Sequence, residues 1–410
     1  MAITDRLEVM VSRAPLALVL AAAALVACGD GGAPRPDPAP AASGSLACAD
    51  GPERSRWIGR EAEYRPTATF GTDHHYIAEF GGLERHRGRI FVFDAAEGRV
   101  LVADARGDSV VAEFGSSGKG PGEFSTEWTP FSRYRGGRLD WLAATDSSLL
   151  VFDGWRVQAF TWDGAFEHVA VRRPREHGLT PFLKRISHRD GRLLFAAGGY
   201  DVMASEEAGS DDPAAALTLP LEIRELRDGR SRSLLSMELV EPPIGRRDVP
   251  VFVPGQAVPV WAAGPCVWVS DGRRPWLYAV SPGGDAYDSL AVPVEDAGIR
   301  AFSESEEADA EEMLRSASKG AISEMPEPTA VRRIRDLAVD PDGFVWVLPG
   351  DGPLPGGGVE TIVLDPSTGT TVRDTLPAFP VEFGEPGAYY AVVRDSLDRQ
   401  LVRRYELGGS

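Results

Sequence analysis

The chain has no asparagine, few lysines and only three cysteines in 410 residues. Arginine taking lysine's place beside a complete lack of asparagine marks a GC-rich coding bias, so arginine abundance alone signals no mechanism. Basic charge is also scarce: 43 Lys and Arg face 61 Asp and Glu, for a net charge of −18. That balance excludes a nucleic-acid partner, because phosphate binding needs clustered basic surface. There is no Cys-x-x-Cys pair to suggest redox chemistry and no G-x-S-x-G elbow to present a nucleophilic serine. The apolar run Ala14–Ala27 (APLALVLAAAALVA) is too short to cross a bilayer comfortably. What remains is a chain with 43% hydrophobic residues, ample for a packed core.

The N-terminus reads as an address. Arg6 and Arg13 precede the apolar run, which ends in Leu25-Val26-Ala27-Cys28. That tetrapeptide resembles a bacterial lipobox. The resemblance implies that residues 1–27 are a signal peptide and that Cys28 carries the lipid as the mature N-terminus. Asp30, at the third mature position, does not clearly signal inner-membrane retention. Residues 28–55, rich in Pro, Ala and Gly, follow as a tether, and 56–410 as the folded domain. With Cys28 lipidated, Cys48 and Cys266 remain as an even pair in an oxidising compartment. A bridge would pin the N-terminal edge to an interior strand; the alternative is a buried Cys266 and a stray Cys48 thiol.

A strand pattern then recurs. Ile90–Asp94 (IFVFD), Leu149–Asp153 (LLVFD) and Val267–Asp271 (VWVSD) each lead through a short polar turn into another alternating strand. Repeated four-strand units predict a radial β architecture. The inner strand of the first unit is expected over Ile77–Leu83, and a strand of the second over Trp155–Trp162, before a hairpin at Asp163-Gly164. The last unit supplies three strands, Val381–Gly384, Tyr389–Asp395 and Gln400–Leu407, while Glu63–Phe70 is strand-like and unassigned. Three plus one closes a ring of six blades and removes an exposed sheet edge. One helix is expected as an insertion, over Ser303–Ile322.

The segment FGSSGKGPGEF, the repeated strand, the DPDGFVWV hairpin and the lipobox together resemble bacterial six-bladed β-propeller lipoproteins of the NHL-like group. The resemblance covers roughly Glu63 to Leu407. It implies a platform for a protein, peptide or glycan partner, held at the cell envelope on a lipid anchor. A monomer without a cofactor is expected.

Candidate chemistry is thin, and no catalytic, cofactor-binding or metal-binding residue is assigned. In Asp73-His74-His75 the adjacent histidines point to opposite faces of a strand, which fits a polar inter-blade turn better than a metal site. Asp94, Asp153 and Asp271 share one repeat position, where a strand-end aspartate commonly bonds turn amides. Gly115–Gly122 (GSSGKGPG) lacks the Lys-Ser/Thr end of a phosphate loop. The tryptophans Trp141, Trp155, Trp162, Trp261, Trp268, Trp276 and Trp346 are expected mostly between sheets. Lactonase-type propellers hold a divalent cation in the central channel through Glu, Asp and Asn. The lack of asparagine departs from that pattern, and leaves a lactonase- or lyase-like enzyme as the alternative function.

Overall fold

In the computed structural model the described residues are 64–71, 75–106, 109–126, 141–172, 186–189, 191–198, 217–227, 230–241, 260–272, 274–281, 287–294, 333–350, 358–385 and 387–408. The leader, Cys28, the tether with Cys48, and the helix expected over Ser303–Ile322 lie outside them.

The first strand, β1 (Tyr64–Phe70), belongs to the last blade. Blade one contains β2 (Phe80–His86), β3 (Arg89–Asp94), β4 (Arg99–Asp104) and β5 (Val110–Phe114). Blade two contains β6 (Leu142–Ala144), β7 (Ser148–Phe152), β8 (Val157–Thr161) and β9 (Phe166–Val171). Blade three contains β10 (Ile186–Arg189), β11 (Arg192–Gly198), β12 (Leu217–Arg227) and β13 (Arg230–Glu241). Blade four contains β14 (Val260–Ala263), β15 (Val267–Ser270), β16 (Trp276–Val280) and β17 (Tyr287–Ala291). Blade five contains β18 (Ile334–Val339), β19 (Val345–Pro349), β20 (Val359–Leu364) and β21 (Thr371–Leu376). Blade six contains β22 (Glu382–Phe383), β23 (Ala388–Arg394), β24 (Gln400–Leu407) and, as its outer strand, β1. Each blade is a four-stranded antiparallel sheet, and together they form a six-bladed propeller. The strands of a blade are termed a to d from the axis outward.

The ring closes as the strand count requires. β1 pairs antiparallel with β24 from Tyr64↔Leu407 to Phe70↔Val402. Gln400 then reaches the next blade, where its Oε1 accepts the Phe80 amide at 2.6 Å. Tyr390 of blade six donates to the Ala105 carbonyl of blade one at 2.7 Å.

The core lies between blades rather than at the axis. One apolar layer joins blades one, two and three through Phe91, Phe93, Phe124, Trp141, Phe160 and Phe195. Others join blades three and four, four and five, five and six, and six and one. This explains the strand sequences. Strands b and c are covered by a neighbouring sheet on each face, so Ile90 to Phe93 and Leu149 to Phe152 are all buried. The outer strand β5 exposes Val111, Ala112 and Glu113, with Val110 and Phe114 only half-buried.

Two strand limits differ from expectation for local reasons. The inner strand of blade one begins at Phe80, not Ile77. Ile77 instead bridges to Gln400, and the amides of Ala78 and Glu79 are taken by the Asp94 carboxylate, so ladder pairing starts later. The strand expected over Trp155–Trp162 is only Val157–Thr161. Trp155 amide hydrogen bonding to Asp153 folds that end into a turn. Trp162 opens the hairpin in which Gly164, at φ +86°, donates to the Thr161 carbonyl at 2.9 Å.

Candidate ligand-facing surfaces

Strand order divides the propeller into two faces. The a–b and c–d turns leave from one face; the b–c turns and the d–a connections between blades leave from the other. Tyr64 lies beside Leu407, whose amide donates to Gly387 in the a–b turn of blade six. The chain therefore enters the propeller on the a–b face.

The recurring aspartates lie on the b–c face, and each meets an arginine. The pairs are Asp94/Arg99, Asp153/Arg156, Asp271/Arg274 and Asp395/Arg399, with Nε–carboxylate distances of 3.6, 3.3, 3.4 and 2.7 Å. Asp153 takes the amides of Trp155 and Arg156 in its own turn and that of Ser125 in the connection from blade one. Arg156 completes the seam by donating to the carbonyls of Lys119, Gly120 and Glu123 at 2.8, 2.9 and 2.9 Å. Asp94 and Arg99 repeat this across the closing seam, on the Ala78 and Glu79 amides and the Tyr76 carbonyl. Burial pushes the Asp94 and Asp153 carboxyls above the usual range, while the donated amides and the arginine pull the other way. Their oxygens are committed to structure. Asp395 and the arginine partners were not anticipated, although the spacing from each strand-end aspartate to the next arginine was readable.

The GPGEF segment is part of the same seam. Gly118 donates to the Phe124 carbonyl at 2.9 Å, Gly120 to the Glu123 carboxylate at 2.6 Å, and Gly122 to Gln158 Oε1 at 3.2 Å. Amides already bonded, one of them to a carboxylate, do not cradle a phosphate. Phe124 is fully buried between the rings of Phe93 and Phe160, at 5.2 and 5.3 Å. Gly115, at φ +84°, lets that ring lie where a Cβ would be 2.2 Å from it.

A cavity of about 500 Å³ occupies the a–b end of the axis. Its walls come from the a-strands of five blades, with Glu84, Arg85, Asp340 and Glu382 among apolar Ile186, Leu337, Val381 and Phe383. Asp340 is 2% exposed, and burial pushes its carboxyl up to about 6. Its Oδ1 accepts the amides of Asp342 and Phe344, and its Oδ2 accepts Trp346 Nε1 at 3.0 Å. It ties the DPDG turn to a core tryptophan.

Among the described residues, no group of three or more His, Cys, Asp or Glu is placed to hold a metal ion. His75 lies in the connection into blade one, with Nδ1 3.8 Å from Glu113; Asp73 and His74 are outside the described residues. Trp141, Trp261, Trp268 and Trp346 are buried between blades. Trp155 is 45% exposed on a b–c turn, Leu397 is 71% exposed on another, and Tyr76 is 43% exposed on the connection between blades six and one. Arg99 lies over the Tyr76 ring, 5.7 Å from its centroid. Cys266, in the a–b turn of blade four, is 2% exposed and disulfide-bonded.

No family profile matches the chain, and no curated protein matches it. Solved structures do resemble it. A DUF4221-family protein from Bacteroides vulgatus has 9% identity, with 85% of this chain and 99% of that one covered, at a TM-score of 0.48. A candidate exported protein of Bacteroides fragilis has 11% identity, coverage of 85% and 95%, and a TM-score of 0.45. A catalytically inactive virginiamycin B lyase from Staphylococcus aureus, with quinupristin, has 12% identity, coverage of 85% and 100%, and a TM-score of 0.37. Likeness at this level says nothing of activity. The six-bladed assignment rests on this chain's own strand order.

Proposed function

We propose that the protein is a lipid-anchored, extracytoplasmic propeller, akin to the NHL-like lipoproteins, that binds a protein, peptide or glycan partner on its b–c face. Residues 1–27 act as leader, Cys28 carries the lipid, and 28–55 tether a monomeric domain. The observation that supports this reading is the placement of Tyr76, Trp155 and Leu397. All three are large, exposed and apolar, and all sit on the face opposite the chain's entry, around blades six, one and two. Their backbones are held by the aspartate–arginine seams, so each offers a rigid anchor whose ordering on binding costs little entropy. Arginines 99, 156 and 399 border them, and aromatic and arginine side chains are the groups enriched where partners dock.

The test is a photoreactive residue placed at position 155, 397 or 368 in cells expressing the full chain. Thr368 is an exposed control on a c–d turn of the opposite face. Discrete adducts at 155 and 397 but not at 368 support the reading; equal labelling at all three, or none, overturns it. Chelator-sensitive turnover of lactones by the purified protein would replace it with the enzyme alternative. The anchor has its own test: Cys28→Ser should release the protein from the membrane fraction, and unchanged fractionation would sink the lipid assignment.

A further inference from the structure

The disulfide at Cys266 constrains where the membrane anchor meets the domain. Only two other cysteines exist, Cys28 and Cys48, and both precede β1. The chain joins the propeller at Tyr64, on the outer strand of blade six, whereas Cys266 lies in the a–b turn of blade four. Both points are on the a–b face. The neighbours of Cys266, Gly264 and Pro265, line the axial cavity. A partner at either position would tie the segment before β1 to blade four, two blades away from its point of entry.

We propose that Cys48 is the partner, and that the bond fixes the anchor to the rim of the axial cavity. The choice of Cys48 over Cys28 rests on the lipid reading above, since a thioether-linked sulfur has no thiol to oxidise. The two thiols lose two protons and two electrons to form the S–S bond, and an external disulfide takes up both as its dithiol. The free tether then runs from residue 28 to 48 rather than to 63. At about 3.4 Å per residue, its greatest reach falls from roughly 120 to about 70 Å. The tether pulls on blade four beside the cavity, so the a–b face turns toward the bilayer and the b–c face away from it. Stand-off and the point of attachment become properties of one covalent bond.

A site for a specific protease, inserted within residues 49–63 of the full-length lipidated protein on vesicles, tests this directly. With the bond intact, nicking should leave the propeller on the vesicles, and a reductant added afterwards should release it. In Cys48→Ser, nicking alone should release it. Release of the unsubstituted protein by nicking alone overturns the proposal. So does a disulfide map of the non-reduced digest that joins Cys28 to Cys266. Failure of the un-nicked protein to bind vesicles would instead count against the lipid reading. The map still decides the pairing then, because a Cys48–Cys266 peptide upholds it and a free Cys48 thiol removes it. The nicking assay needs no stability difference, so a destabilised Cys48→Ser variant does not compromise the result for the unsubstituted chain.

Discussion

Blade two and blade five solve the same problem with different chemistry. Each must hold the connection arriving from the preceding blade against its own b–c turn. Blade two does it with side chains: Asp153 and Arg156 make six hydrogen bonds to the backbone of the two segments and one to each other. Blade five has no aspartate where β19 ends; Gly350 donates its amide straight to the Arg333 carbonyl at 2.9 Å, and the Arg333 amide returns to Gly272 of blade four at 2.7 Å. Blade three likewise has no aspartate directly after β11 in the sequence. Where the seam is polar and made of side chains, the b–c turn is short and fixed. In blade five, where it is not, strands b and c are joined by the longer stretch 350–358, and blade three, which lacks the aspartate, has 199–216 between its strands b and c. The aspartate of the repeat is a seam residue, and its loss marks the blades whose connections were free to lengthen.

The largest effect should come from breaking the seam that no covalent connection supports. Deleting Tyr64–Phe70 removes the outer strand of blade six and leaves β24 as an open edge. The loss should be comparable to the whole stability of a domain, about 5 kcal/mol or more, and show as aggregation. A soluble deletion variant with an undiminished melting transition would falsify terminal-strand closure.

Next come substitutions that set the two seam types against each other. Asp153→Ala strands the partly buried Arg156 side chain and three amides, and should cost about 3 kcal/mol. Gly350→Ala leaves its backbone bond in place and should stay within about 0.5 kcal/mol. Urea unfolding of both variants checks this; equal losses would erase the distinction.

The smallest effect is a pH dependence centred on blade five. The Asp340 carboxyl is raised from 3.8 to about 6 in the folded state, chiefly by burial. Between those values the folded protein holds a proton that the unfolded chain has lost, so this group's contribution to stability falls as pH rises from about 4 to 6. The slope should approach about 1 kcal/mol per pH unit and disappear in Asp340→Asn. The Asn variant will also lose the Trp346 hydrogen bond, which shifts the curve without restoring the slope. A slope that persists in the variant would assign it to other groups.

Much of the scaffold was legible because burial on both faces of strands b and c forces continuous apolar runs. Those runs, IFVFD, LLVFD and VWVSD, stand out from any polar background. The closing strand was legible for a different reason: three strands at the C-terminus need a fourth. The start of β2 was not, since hydrogen bonds donated by the Ala78 and Glu79 amides to the distant Asp94 carboxylate have no local signature. Nor was the exposure of Trp155, because a tryptophan in a turn and one in a strand look alike until the turn's hydrogen bonds are known. The axial cavity draws on the a-strands of five blades, each contributing a few residues, and no window of sequence contains it.

Ring closure by the first strand also sets a schedule. Arg404 Nη1 donates to Thr67 Oγ1 across 337 residues of sequence, and among the described residues β1 has no other partner strand. A chain emerging from its N-terminus must carry Tyr64–Phe70 unpaired until Val402–Leu407 have appeared. Five blades can form while the sixth waits, with an open β-edge at each end of the unfinished ring. The arrangement makes the arrival of β24, rather than any local folding step, the event that commits the propeller to its closed state.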